Sequence, residues 1–489
     1  MKLKLKISTV LLTTILSSCA IGPDYQRPPT SLPAQYSAHS TVESTQASPA
    51  VVDQWWIVFN DSTLNTLVTQ ALAKNADLRI AVARVDEAIG VLKETGAVLY
   101  PQIDLGASST RSKSSTLGSI PVPSTAVISN SNRLALSTSF EIDVWGKLRR
   151  ASQAAQAQYL ASRYSRDTVA LALAGTTAQS YFALRALDAQ ITVTQASLKS
   201  REESLTLAQN RLKAGYASEL DLNQAQTALA AARATLSDLT RQRGLVQNQL
   251  GNFTGEPGLS IMAGDVRNLP LPTIPPPGLP SVLLERRPDV QQAEQSLIAA
   301  NALVGVAKAA MLPSLSLSSA FGGQSAELSD LLKTGARIWS LGFGLALPLF
   351  DAGKFSARTE QAQARQQQAV ASYQKAAESA FREVADALIA VEQLQSQEVA
   401  LQTQVDAAQN AVRLSSKRYQ AGYSAYLEVL DAQRSANDAQ LGLIRVRQAR
   451  LNASVDLMKA LGGGWTSEAS MDPASTHLHT AYWPQESKK

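Results

Sequence analysis

The chain repeats itself at long range. Arg211, Ala214, Gly215 and Tyr216 return as Arg418, Ala421, Gly422 and Tyr423, a shift of 207 positions from 211 to 418, and Gly146-Lys147 returns as Gly353-Lys354 at the same spacing. Upstream, Leu99, Pro101 and Leu105 answer Met311, Pro313 and Leu317. A period of this length lies far beyond the roughly 20 to 50 residues of solenoid repeats, so it marks a duplicated, domain-sized unit. Each copy holds two strand-like pieces and a very long helical hairpin. The expected division is residues 61–256 for the first copy and 282–464 for the second, joined by a Pro-rich segment, 257–281, and followed by a polar tail, 465–489.

The hairpins are legible from what they lack. No proline occurs between Lys147 and Glu256, nor between Lys354 and Trp465. One helix from Lys147 to Arg211 would reach about 100 Å at 1.5 Å per residue. Leu184, Ile191, Leu198, Leu205 and Leu212 fall seven apart, a coiled-coil seam echoed by Val391, Val405 and Val412 with Leu394 and Leu401 beside it. Alanines such as Ala225, Ala228, Ala231 and Ala232 allow close helix approach. With only 6% aromatic residues, the chain favours closely packed helices over one bulky core. A long antiparallel rod would show the same features. A further helix is expected from near Leu64 to about Leu99, ended by Pro101.

Between helices the period changes to two. Ile103, Leu105 and Ala107 alternate, then Leu134, Leu136, Thr138, Phe140 and Ile142. In the second copy Trp339, Leu341, Phe343, Leu345, Leu347 and Leu349 alternate with Ser340, Gly342, Gly344, Ala346 and Pro348. A half-buried sandwich strand also has period two, but its outer face is polar and charged; here that face is small while the apolar face is large and nearly unbroken. The pattern therefore favours a lipid-facing barrel strand, with Trp339, Leu341, Phe343 and Leu345 towards lipid. Four such strands cannot close a barrel, and open edges cannot face lipid, so several chains would have to share one.

The N-terminus has a basic start and a short apolar run, Ile7 to Leu16, of signal-peptide proportions, ending in Leu16, Ser17, Ser18 and Cys19. Small residues before the single cysteine of the chain make residues 1–18 a signal peptide and Cys19 a lipidation site, with a lipidated, Pro-studded tether over 19–60. An ordinary signal peptide with an incidental cysteine is the alternative. Loss of Lys2, Lys4 and Lys6 with that segment takes the formal charge from +5 to +2, which speaks against a nucleic-acid partner. No later segment is a run of roughly 18 apolar residues, the length of a membrane helix. HExxH, paired cysteines and a phosphate-cradling glycine motif are all missing, and there are three histidines, two of them, His477 and His479, in the polar tail. Neither catalysis nor a cofactor or metal is expected; the covalent lipid on Cys19 is the one attached group.

Together the lipobox-like stretch, the Gly22, Pro23, Asp24, Tyr25, Gln26, Arg27, Pro28 segment, Trp55-Trp56 and the duplicated Arg-x-x-Ala-Gly-Tyr turns resemble the TolC-like outer membrane factors, in particular their lipoprotein branch of NodT and multidrug efflux channels. The resemblance implies a mainly helical chain with transmembrane β-strands, four per chain, and long coiled-coil helical hairpins in two tandem repeats, closing as a homotrimer into a β-barrel and an α-helical barrel. It implies the outer membrane of a Gram-negative bacterium, in keeping with Ala20 in place of an aspartate after the cysteine, and a periplasmic adaptor and an inner-membrane pump, most often of the resistance-nodulation-division type, as partners. The function it implies is passive efflux of small molecules; a protein-secretion duct shares the architecture, and a structural coiled-coil lipoprotein is the rival from another class.

Carried over by position, Gly215, Tyr216, Gly422 and Tyr423 would meet the adaptor. Asp221, Glu428 and Asp431 would stand at the periplasmic constriction, with Tyr419 taking part in closing it. Where the enterobacterial prototype has an arginine two residues after the second turn glycine, this chain has Ser424, and Arg418 is an alternative partner. Glu428 and Asp431 are three apart and share a helix face; repeated around an axis they would form a cation-favouring ring. Both also begin a helix after a glycine turn, where a carboxylate is favourable without any further role.

Overall fold

The computed structural model describes residues 20–29, 33, 54–115, 127–272 and 284–463. A 3-10 turn, Trp55–Phe59, precedes α1 (Ser62–Lys74) and α2 (Ala76–Ala97). Strands β1 (Gln102–Lys113) and β2 (Ile128–Ile142) lead into α3 (Lys147–Lys213) and α4 (Glu219–Thr254). The second copy follows as α5 (Pro288–Ala309), β3 (Ser314–Ser325), β4 (Arg337–Ala346), α6 (Lys354–Gln420) and α7 (Tyr426–Ala460). Both α3 and α6 run for 67 residues, about 100 Å each.

The repeat is written in the helix ends. Gly215 and Gly422 have φ of 75° and 83°, and Gly255 and Gly462, also 207 apart, have 67° and 75°. Each pair ends a helix in the same way: the N–H of the residue after the glycine reaches back five positions, Tyr216 to Arg211 O at 2.8 Å, Tyr423 to Arg418 O at 2.9 Å, Glu256 to Gly251 O at 2.8 Å and Gly463 to Met458 O at 3.0 Å. These are Schellman caps, which need a left-handed residue that glycine adopts without strain. The Arg-x-x-Ala-Gly-Tyr motif is thus a helix stop used twice.

Two expectations change. The helix foreseen over Leu64 to Leu99 is two helices, because the Asn75 side chain accepts from the backbone N–H groups of Asp77 and Leu78 and starts a new N-terminus. Strand β4 stops at Ala346; Pro348 lacks the N–H a ladder needs, leaving Leu347 and Leu349 outside the sheet.

The chain forms two compact units, each drawing on both copies. The first consists of the described residues of Met1–Pro29, Arg84–Arg163 and Gln292–Gln374. It holds an antiparallel sheet in the order β1-β2-β3-β4, so each copy supplies one hairpin and β2 pairs with β3 across the duplication. The register aligns Leu105, Leu136, Phe321 and Trp339 in one row, and Phe140, Leu317 and Phe343 in another. The opposite face sets Ser316 against Gly344 and Ser318 against Gly342. Residues 20–29 have no regular secondary structure and are pinned to this unit: Ile21 N–H donates to Trp145 O at 3.1 Å, and Asn301 donates to Pro23 O at 2.8 Å.

The second unit consists of the described residues of Thr30–Ala83, Tyr164–Gln291 and Lys375–Lys489. Its core gathers Trp55, Phe59, Leu64, Tyr181, Phe182, Leu250, Ile444 and Leu451, with Ala174, Ala178, Ala186 and Ala189 where helices approach. Buried Asp188 accepts from Arg243 at 2.6 Å and from Gly264 N–H at 2.9 Å. Arg243 and Arg185 also donate to the carbonyls of Ile261 and Met262. The first part of the inter-copy segment, expected to be irregular, is therefore strapped down, and it includes a 3-10 turn, Val266–Asn268.

Candidate functional site

Two turns end the long helices in the second unit, one between α3 and α4 and one between α6 and α7. Tyr216 and Tyr423, the residues after the turn glycines, are 79% and 80% exposed. One helical turn on, Leu220 and Leu427 are exposed as well. These leucines are also 207 apart, so each turn presents an exposed tyrosine followed by an exposed leucine at the start of the next helix.

The three carboxylates have different surroundings. Asp221 forms a capping box with Ser218: the Ser218 hydroxyl accepts from Asp221 N–H at 3.2 Å, and the Asp221 carboxylate accepts from Ser218 N–H at 3.3 Å. The second turn has Ala425 at the equivalent position and no side-chain cap, which leaves Glu428 outside any such box. Glu428 stands 3.9 Å from Arg418, with 49% and 60% of the two side chains exposed. Asp431 accepts from Arg434 at 2.7 Å. Exposed pairs of this kind contribute little to stability, so these charges are not there to hold the fold.

Tyr419 is 7% exposed and packs with Ala208, Ala225, Tyr426 and Val429. Its ring lies 5.4 Å from that of Tyr426, tilted by 48°. Its hydroxyl is buried without a hydrogen-bond partner among the described residues. Burial raises its ionisation above the ordinary tyrosine range, and Arg211 opposes that rise through its charge and through a weak contact with the hydroxyl, looser than a well-formed hydrogen bond. Ser424, too, keeps a buried hydroxyl unpartnered among the described residues.

In the sheet, Trp339, Leu341, Phe343 and Leu345 are 64 to 78% exposed and share one face of β4. Cys19 lies outside the described residues. No described helix is long and apolar enough to cross a membrane.

The model of the outer membrane efflux protein family matches residues 67–256 and 279–463. The chain belongs to the outer membrane efflux protein family. Among the relatives of this efflux protein, the probable efflux pump outer membrane protein TtgC of Pseudomonas putida is 34% identical over 480 residues, covering 97% of this chain and 98% of that one. The cation efflux system protein CusC of Escherichia coli O6:H1 is 33% identical over 451 residues, covering 92% and 96%. Among solved structures, the open state of the MtrE outer membrane channel of Neisseria gonorrhoeae is similar with a TM-score of 0.81 at 31% identity, covering 91% of this chain and 98% of that one.

For an efflux protein built this way, sequence reasoning passed over Leu220, Leu427, Ser218 and above all Arg211. The first two were legible as a further pair at the repeat spacing. Ser218 with Asp221 is a capping-box pattern. Arg211 was read only as part of the repeat, and nothing local says where its side chain goes.

Proposed function

We propose that this chain is the passive outer-membrane exit duct of a tripartite efflux system, assembled as a homotrimer. The observation that carries the reading is the sheet, which joins an exposed apolar face to outer strands β1 and β4 that each pair with one neighbour only among the described residues. Unpaired ladder edges are not tolerated in lipid. Pairing β4 of one chain with β1 of the next removes them, and three chains, the number the family resemblance implies, give twelve strands. The helices would continue the path into the periplasm. An inner-membrane pump, of the resistance-nodulation-division type, would supply the energy, and a periplasmic adaptor would grip the turns at Gly215, Tyr216, Gly422 and Tyr423.

The cargo is a class of small toxic molecules chosen by the pump; the name of TtgC speaks of an efflux pump and that of CusC of cations. The constriction is read at Asp221, Glu428 and Asp431, with Arg418 and Tyr419 beside them. A coiled-coil lipoprotein rod has no use for the exposed face of β4. The test is electrophoretic and electrical. Purified protein should migrate as a trimer until heated and then as a single subunit, and it should form discrete channels in planar bilayers. A heat-insensitive monomer that never conducts would overturn the reading. Deletion of the gene should sensitise cells to small toxic compounds and leave protein secretion intact.

A further inference from the structure

The duplication supplies two equivalent arginines, and the fold uses them differently. Arg211 and Arg418 occupy the same place in the two helix stops, each lending its carbonyl to the tyrosine N–H five residues on. The Arg418 side chain stays within its own copy, exposed and 3.9 Å from Glu428. Arg211 crosses to the other copy. Its guanidinium carbon sits 4.6 Å from the centre of the Tyr419 ring, and its Nη1 donates to the Tyr419 carbonyl oxygen at 2.9 Å. A planar guanidinium can stack and donate at once, which an ammonium cannot. The Tyr419 carbonyl itself belongs to the second helix stop, since it accepts the Gly422 N–H at 3.0 Å.

We propose that Arg211 is a positioning residue that fixes the second turn against the first, holding Tyr419 by its ring and its carbonyl. The closing hold is the cation on the ring face together with the hydrogen bond to the carbonyl. Once Arg211 lets go, the Arg418–Glu428 pair cannot replace it, because both of its partners belong to the second turn. The effect of Arg211 on conduction rests on the reading of these turns as the constriction; its effect on the spacing of the turns does not.

Two readouts separate those claims. Spin labels on Tyr216→Cys and Tyr423→Cys, in trimers assembled with excess unlabelled chain, report the distance between the two turns of one protomer. Arg211→Gln should shift and broaden that distance, and Arg211→Lys should do so nearly as much. Single-channel recording then reads the gate: Arg211→Gln should raise open probability on the order of tenfold, the factor expected for losing one charge-assisted hydrogen bond and a partly buried cation–π contact, and Glu428→Gln by much less. An unchanged distance in Arg211→Gln overturns the proposal whatever the channel does. A changed distance with unchanged conduction upholds the positioning role and overturns the constriction reading. If Arg211→Gln fails to assemble, Arg211→Lys decides, because it keeps charge and length; parent-like spacing in that variant overturns the argument from the planar fork.

Discussion

Arg27 closes on both carboxylate oxygens of Glu294, at 2.7 and 2.8 Å, across 267 residues of sequence. Tyr25 donates to the same carboxylate at 2.9 Å, and the Glu294 side chain is almost fully buried. The segment that follows Cys19 is therefore part of the first unit's packing. Glu294→Gln removes the bidentate charge pair and is expected to cost about 1–3 kcal/mol, discounted for the water around Arg27. Chymotrypsin cleavage after Tyr25 under native conditions should appear in the variant and be absent in the parent. Equal resistance in the two would mean that this clamp does not hold the segment.

The exposed row on β4 makes a directional prediction. Phe343→Arg should cost about 2 to 4 kcal/mol if the site lies at the bilayer midplane. Polar replacements at Gly342 and Gly344 face a different problem: a Cβ there would stand 3.0 and 2.8 Å from the Ser318 and Ser316 hydroxyls, so only serine-sized changes should be tolerated, and only if those hydroxyls rotate away. Assembly yield in outer membranes measures both. If Phe343→Arg assembles like the parent, this face does not meet lipid.

Helix stops and strand faces were legible because their causes are local. A Schellman cap needs a residue with positive φ at one position, and glycine there is visible in the sequence; likewise the alternation through Trp339 and Phe343 is read from neighbours alone. The break at Asn75 was hidden although its cause is also local, because apolar periodicity continues through it and an asparagine cap is a weak signal inside an otherwise helical run. Clamps such as Arg27–Glu294 and the crossing of Arg211 to Tyr419 were not legible at all. They depend on which side chain ends up beside which after folding, and the duplication even misleads, since Arg211 and Arg418 look alike in sequence and part company in space.

Cys19 should be the mature N-terminus and carry the lipid, because it alone sits behind a lipobox-like stretch. Intact-mass measurement of membrane-extracted protein should show a chain starting at residue 19 with added acyl mass. Cys19→Ala should abolish that mass. A mature protein starting at any other residue without acyl groups sinks the assignment.

Alkaline pH should unlock the second unit at Tyr181. Burial and the hydrogen bond to Asp61 at 2.7 Å push its ionisation up to about 12, with Arg185 opposing. In the unfolded chain the same group ionises near 10. The folded state thus keeps a proton that the unfolded state gives up, and this contribution, whole below pH 10, is lost as pH rises towards 12. Tyr181→Phe should lower stability near neutrality by about 1 kcal/mol through the missing hydrogen bond and flatten the decline between pH 10 and 12. Thermal midpoints of the two proteins at pH 7, 10 and 11.5 measure this; parallel curves would show that Tyr181 does not carry the dependence.

Glu428 and Asp431 make the sharpest electrical prediction, because each has a local cation that partly cancels it. Arg434 lies 2.7 Å from Asp431, and Arg418 lies 3.9 Å from Glu428. If these carboxylates form a ring around the conducting path, the field at the axis is the difference between acids and bases. Changing both to alanine should reduce the preference for cations, and Arg434→Gln should increase it, an opposite sign that general loosening of the turn would not produce. Stability should move by under about 1 kcal/mol in either case, since exposed pairs contribute little. Reversal potentials across a salt gradient report the charge, and conductance reports any release of the closed state. A double variant that inserts normally with the parent's selectivity and conductance would place both carboxylates away from the path, and the constriction would have to be sought elsewhere along the helices.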